Sequence, residues 1–458
     1  MRILNAMFSP RDLPLPLVGA PMAGGPSTPE LVAAVARAGG LGMIAAGYLS
    51  ASKLAEVIDA SFALYDGSPS RRPAHGFPNR ESSVGGRIGV NLFVPNPDVS
   101  TGWREYRDRL AADFPSVELP DEPKWSDDDW DAKIELLTGD GAGGTSSSNA
   151  VATVTFTFGL PKRAIVRALN DAGKSVGVTV TSQNEARAAL AVGADYLIVQ
   201  GPGAGGHQST FAVAEMPAAV GFHAGVSGTA ALVRSVRALT DDYAVLVDGE
   251  ATTVPLIAAG GVGGPHDVRV LMEAGAEAVA VGTLLLTAGE AGTREPHRNA
   301  LLAHDRETVM TRCFSGRYAR ALENDFTLEY SDEAPAAYPH VHFLTSPIRA
   351  AATAAGDPEG LNLWAGVGHK SCRAASAEEI LADLAPYPRP KHHPRPQTPT
   401  SPDSRRAFPR RCARLRPRTP TCPGGADRSC IYGATASHVQ PMTCDDAQAE
   451  RRGVTAYA

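Results

Sequence analysis

The sequence predicts an α/β protein: a (β/α)8 TIM barrel with a helical insertion and a disordered C-terminal tail. Three observations predict it. Eight short apolar runs recur, at residues 15–22, 41–47, 87–93, 152–159, 175–181, 196–201, 255–262 and 278–286. They are rich in Val, Ile and Leu and bounded by Gly or Pro, as parallel strands buried on both faces should be. Helical patterns with polar starts separate most of them, and such alternation implies a parallel sheet. Finally, the composition changes abruptly near Pro386.

Taken in order, the first helix opens at Ser27-Thr28-Pro29-Glu30, where a capping hydroxyl followed by Pro and Glu marks a helix start. Ser182-Gln183-Asn184-Glu185 opens another that ends near Gly193, and Pro265 opens one that ends near Gly275. Glycine at these ends lets the helix stop and turn into a strand. Residues 96–150 exceed a simple crossover. Within them, 103–114 and 125–137 read as helices, and the Gly/Ser-rich 139–149 reads as a flexible loop. Residues 203–227, after the sixth strand, form a long loop ahead of a helix starting near Thr229. Loops at that end of a barrel carry active sites, so this one is a candidate lid or substrate wall. Residues 312–326 and 377–384 read as closing helices. An open doubly wound sheet competes, because residues 201–206 fit G-x-G-x-x-G, but no clean helix follows them.

The net charge of −6 describes neither part of the chain. After Pro386 lie 13 of the 43 Lys+Arg and 5 of the 49 Asp+Glu, so the last 72 residues carry +8 and residues 1–386 carry −14. The tail holds 11 Pro and only five Leu, Ile, Val or Phe, too few for a core. It reads as disordered, with a composition that also suits an out-of-frame extension. An acidic body excludes nucleic acid as the expected partner, and the basic tail has few aromatics to interleave with its arginines. No run approaches the ~18 apolar residues of a membrane span, and the first residues offer no signal-peptide core. Four of six cysteines lie in the tail, so no disulfide framework is implied. The expectation is a cytoplasmic protein, monomer or homodimer, without a metal site.

The chemistry is expected at the carboxyl ends of the strands. Gly260-Gly261-Val262-Gly263-Gly264 after the seventh strand and Gly282-Thr283 in the eighth would let the backbone approach a phosphate. The bland alternative is that these glycines only make tight turns. His207 follows Gly203-Ala204-Gly205-Gly206 at the end of the sixth strand, and its ordinary pKa of ~6.5 suits proton abstraction. His223, His266, His297, His304, His340, His342 and His369 lack such a context and read as surface or packing residues. Asn91, Thr179, Thr181 and Gln200 are polar residues in apolar strands. Each bonds its neighbours, or meets the heteroatoms of a planar ligand.

At this point the motifs resemble a known family. Gly19-Ala20-Pro21-Met22-Ala23-Gly24-Gly25, Gly89-Val90-Asn91-Leu92-Phe93-Val94-Pro95 and Phe156-Thr157-Phe158-Gly159-Leu160-Pro161 are similar to class I nitronate monooxygenases, once called 2-nitropropane dioxygenases. So are Val199-Gln200-Gly201 leading to Ala204-Gly205-Gly206-His207, then Ala258-Ala259-Gly260-Gly261-Val262, Val281-Gly282-Thr283 and Asn362-Leu363-Trp364-Ala365-Gly366. The resemblance covers about residues 10–386. It implies a barrel holding FMN non-covalently that oxidises alkyl nitronates, propionate 3-nitronate among them, with O2 and no nicotinamide.

By the same resemblance His207 would be the base that deprotonates neutral nitroalkanes. Pro21, Met22 and Ala23 would lie at the flavin ring, with Asn91 and Gln200 bonded to it and Thr181, Gly205 and Gly206 nearby. Gly260, Gly261, Gly282 and Thr283 would cradle the phosphate. The chain departs from the family pattern at Pro202-Gly203, where Glu is usual, and at Gly263-Gly264-Pro265, where Asp-Gly is usual. Two alternatives stand beside this: an FMN-dependent enoyl-thioester reductase using NAD(P)H, and a barrel that binds a phosphorylated ligand without redox chemistry.

Overall fold

A computed structural model describes residues 3–4, 7–65, 87–97, 101–139, 146–216, 225–241, 243–247 and 250–386. By contacts the chain divides into Met1–His392 and His393–Ala458, and the second unit lies outside the described residues. So does the expected disorder of the tail.

Eight parallel strands close into a barrel: Leu17–Gly19, Leu41–Ala45, Ile88–Phe93, Thr153–Thr157, Ser175–Val180, Tyr196–Gln200, Leu256–Ala259 and Ala278–Val281. Each expected run holds one of them, and the ring closes where Leu256–Ala259 pairs Tyr196–Gln200 in register Leu256↔Leu197. The eighth run was expected to extend to residue 286, but residues Thr283–Thr287 turn into a 3-10 helix after Gly282. Alternate side chains fill the barrel interior. Tyr196 spans it, its hydroxyl 2.8 Å from Thr153 Oγ1, and a Cβ on Gly177 would meet the Tyr196 ring at 2.5 Å. The side chains pointing outward form the larger core against the surrounding helices.

Local signals start and stop those helices as the sequence implies. Thr28 accepts from the Leu31 amide ahead of Pro29–Arg37, and Ser182 accepts from the Glu185 amide ahead of Gln183–Val192, which ends on Gly193 at φ 101°. The insertion differs from expectation in two details. Its second helix begins at Trp130, because Asp128 and Asp129 adopt left-handed backbone, so residues 125–129 are not helical. Ser146–Ala150 is a short helix rather than loop, while 140–145 lie outside the described residues.

Residues 312–326 are not a closing helix. Thr308–Thr311 and Ala319–Leu322 pair antiparallel, joined through Gly316 at φ 82°. A Cβ on Gly316 would meet the Ala337 carbonyl carbon at 2.5 Å, so tertiary packing demands the turn that breaks the helix. This hairpin takes Gly206–His207 as its third strand, with His207 opposite Ala319. A separate sheet of Ile3–Leu4, Ala244–Val247 and Glu250–Thr253 was not foreseen. Over the barrel mouth, Trp103–Asp113 from the insertion packs with Asp325–Tyr330 and His340–Ala355 around Tyr106, Phe314, Phe326 and Leu344, a second apolar core. No helix among the described residues is long and apolar enough to cross a membrane.

Candidate active site

A cavity of about 270 Å³ opens at the carboxyl ends of the strands. The structure brings Pro21, Met22, Ala23, Asn91, Gln200, Gly205, Gly206, His207, Gly260, Gly261, Gly282 and Thr283 to its wall. Thr181 is not there. Its hydroxyl and amide both donate to Glu185 Oε2, at 2.8 and 2.6 Å, so this buried polar residue is satisfied by the protein. Thr179, two residues earlier and on the same face of the strand, lines the cavity in its place.

The glycine-rich ends meet backbone to backbone. Gly260 and Gly261 have φ of 107° and 83°, and a Cβ on them would meet the amide nitrogens of Ala204 at 2.7 Å and Val226 at 2.8 Å. Tight turns are therefore part of their role. No acceptor among the described residues takes the amide hydrogens of Gly260, Gly261, Gly282 or Thr283. The Thr283 hydroxyl accepts from the Gly366 amide at 2.9 Å and keeps its own hydrogen to donate. These four amides and one hydroxyl form a donor set at the wall, which suits the acceptor-only oxygens of a phosphate. The amide at Gly263 is not part of it, because it donates to Asp267 Oδ2.

The two strand amides differ in what they leave free. Asn91 Oδ1 accepts from Thr155 and Thr157 hydroxyls, both at 2.9 Å, which fixes its orientation and leaves Nδ2 as a donor at the cavity. Gln200 instead spends its side chain on the chain ahead: Nε2 donates to the His207 carbonyl and Oε1 accepts from the Ser209 amide. It positions the segment carrying His207. Glu185 Oε1 accepts from the Phe211 amide, and buried Arg317 donates to the Thr210 carbonyl. Of the two expectations, lid or wall, the described part is thus a tied-down wall; residues 217–224 lie outside the described residues.

His207 Nε2 lies 2.8 Å from Ser315 Oγ, and Ser315 Oγ donates to the Arg317 carbonyl at 3.1 Å. A hydroxyl has one hydrogen. Where that hydrogen goes to Arg317, the histidine carries its proton on Nε2 and presents Nδ1 as the basic nitrogen. Burial, then Arg317 and Arg349, push the imidazole down to about 3. Around it stand Phe158, Tyr338 and Trp364, with ring centroids 5.7, 5.9 and 5.3 Å away.

Several residues at the site belong to none of the sequence motifs. Arg294 and Arg349 line the cavity, no Asp or Glu does, and neither arginine has a carboxylate partner among the described residues. Burial lowers Arg349 to about 10, still charged at neutral pH. His297 and His342 also line the cavity, against expectation. His297 bonds the Trp364 carbonyl, and His342 stacks on Tyr48 at 4.1 Å. The signal that marks Arg349 is an arginine in a helix with no acidic residue three or four positions away.

Comparison with known proteins shows the family and the fold. The profile described as nitronate monooxygenase matches residues 12–75 and 76–386. A "Probable nitronate monooxygenase" of Staphylococcus aureus (strain MRSA252) is 30% identical over 395 residues, covering 83% of this chain and 96% of that protein. The crystal structure of a nitroalkane oxidase from Streptomyces ansochromogenes superposes with a TM-score of 0.67 at 39% identity, covering 82% of this chain and 96% of that one. FabK from Thermotoga maritima, at 22% identity and a TM-score of 0.53, covers 81% of this chain and 92% of its own, and shares the fold.

Proposed function

This chain belongs to the nitronate monooxygenase family, and we propose from that premise that it oxidises alkyl nitronates, and the nitroalkanes that yield them, with O2 and FMN. The observation that carries the proposal is an uncompensated buried cation, Arg349, lining a cavity without acidic residues that also holds a neutral imidazole. A buried charge without a partner is costly unless a ligand of opposite sign completes it. A nitronate is such an ion. The relationship to a structure described as a nitroalkane oxidase supports the same substrate class.

The residues present fit FMN. The free amides of Gly260, Gly261, Gly282 and Thr283 would hold its phosphate, with the Pro21-Met22-Ala23 turn and Asn91 Nδ2 at the ring. Thr181 leaves the set, and Gln200, which also holds the His207 segment, keeps its second Nε2 hydrogen for the ring. When bound, FMN supplies an electron acceptor that O2 reoxidises. The chain's own part is then to orient, exclude water and move one proton. Arg349 attracts the anion, or the negative charge that develops on a nitro group. His207 Nδ1 accepts the α-proton of a neutral nitroalkane, and the Nε2–H···Ser315 bond holds that tautomer. A nitronate arrives already deprotonated and needs only the binding step.

An absorbance spectrum followed by oxygen uptake tests the proposal. The expected result is a flavin spectrum and O2 consumption with propionate 3-nitronate. A colourless protein that takes up no added FMN, or rapid flavin bleaching on anaerobic mixing with NADH, would overturn it; the second outcome favours the enoyl-thioester reductase.

A further inference from the structure

We propose that Arg317 is a positioning residue for proton abstraction, holding His207 and the ring beside it in one arrangement from behind the cavity wall; this rests on the role proposed above for His207. Arg317 is fully buried in the hairpin turn just after Gly316 and is not itself part of the wall. Its guanidinium nevertheless reaches two segments that flank the histidine. Nη1 donates to the Thr210 carbonyl at 2.6 Å, three residues beyond His207, and Nη2 donates to Asn96 Oδ1 at 2.9 Å. Asn96 Nδ2 in turn donates to the Phe158 carbonyl at 3.3 Å.

Phe158 is what these bonds hold in place. It lines the cavity at φ 73°, and with Tyr48 at 68° it is one of two wall aromatics, among the described residues, in the left-handed region that non-glycine residues rarely adopt. Strain of this kind persists only where the surroundings over-determine it. Arg317 does so from two directions, through Asn96 on the backbone and directly on the ring. Its guanidinium carbon lies 4.3 Å from the Phe158 ring centroid and 5.5 Å from that of Tyr338. Burial lowers its pKa to about 10, so it stays charged at neutral pH and both contacts are cation–π. Phe158 and Tyr338 are the same two rings that meet His207 in T-shaped contact. Loss of the guanidinium would therefore free the Phe158 turn and the segment 207–210 together. Arg349 has bonds of its own, to Thr345 and the His342 carbonyl, so the hold on the anion is separate.

The test compares Arg317→Met and Arg317→Lys with the parent, all as flavin-loaded full chains. Oxygen uptake is measured with neutral nitroethane, which needs the base, and with preformed ethyl nitronate, which does not. Arg317→Met should lose about 10²-fold in kcat/KM for nitroethane, the cost of a displacement of about 1 Å at the reacting groups, and less than about fivefold for ethyl nitronate. Arg317→Lys keeps the charge but lacks the planar fork that reaches Thr210 and Asn96 together, and should regain less than about tenfold of the loss. A merely structural arginine would lower both substrates alike. That result, or a lysine variant as active as the parent, would overturn the proposal. If Arg317→Met does not fold, Asn96→Ala cuts one link and leaves Arg317 in place. It should cost nitroethane about tenfold and spare the nitronate, and an equal loss on both would overturn the proposal as well. Crystal structures of parent and variant read the positioning without turnover. The Phe158 ring should leave its place beside His207 by about 1 Å or more once the link is cut, and a ring and imidazole that stay put would overturn the assignment. If the parent does not turn over nitroethane, the base reading fails, and the structures alone decide whether Arg317 holds His207.

Discussion

At the scale of a residue, the base we propose, His207, is held both at its ring and at its backbone. Ser315 and the Gln200 amide hold its ring and its backbone, and burial, with Arg317 and Arg349 beside it, keeps it neutral. With the imidazole at about 3, the acid limb of kcat/KM for neutral nitroethane should fall well below the ordinary histidine value of ~6.5. The variant His207→Asn should keep flavin and lose nitroethane turnover by about 10²–10⁴-fold, while turnover of preformed ethyl nitronate largely survives. Parallel steady-state assays on the two substrates decide this; equal retention of both refutes the base. His207 was legible in the sequence because it follows glycines at a strand end. Arg349 and Tyr48 were not, because the first reaches the cavity from a helix more than a hundred residues later and the second is made special only by its backbone angle.

At the scale of an element, the insertion supports the site from behind. Lys133, buried on Trp130–Thr138, donates to the Ala46 carbonyl past the second strand and pairs with Asp128 at 2.8 Å. Asp128 in turn holds the Tyr48 amide. Removing one partner of a buried pair strands the other charge. Lys133→Met should therefore lower the unfolding free energy by up to about 3 kcal/mol, less than a fully enclosed pair would cost, because Asp128 keeps 18% side-chain exposure. Adding Asp128→Asn should restore a good part of that loss. Denaturant midpoints at constant slope measure both, and a double variant no more stable than the single would show that the charge pairing is not what matters. The elements themselves were unevenly legible. Barrel strands are continuous apolar runs, so their pattern announces them. The hairpin that positions His207 is held by long-range contacts at Gly316 and Ala319, and propensity within 312–326 points elsewhere.

At the scale of the whole molecule, the family match ends at residue 386, where the composition breaks, and we propose residues 1–386 as the catalytic unit. We propose that the basic tail adds nothing to it. The body has its own acid sensitivity, which follows from three histidines at one cavity. His207 is pushed down to about 3, His297 to about 4, and His342 well below its ordinary value, in each case chiefly by burial. Their folded values lie below the unfolded ~6.5, so between these limits the unfolded chain binds more protons than the folded one. Stability contributed by the neutral rings is thus complete above about 6.5 and is lost as pH falls through that value. Each ring contributes a slope of at most roughly 1.4 kcal/mol per pH unit. Glu185 and Asp128, raised by burial, oppose this only toward the carboxylate range. The window from about 6.5 down to 5 isolates the histidines, and proton uptake on unfolding should rise across it from about 1.5 to close to three, the latter near pH 5. Calorimetry in buffers of different ionisation enthalpy counts them. His342→Phe, which keeps a flat ring beside Tyr48, should reduce the count by about one. An uptake near zero in the parent protein would mean that the cavity admits enough water to charge these rings in the native state.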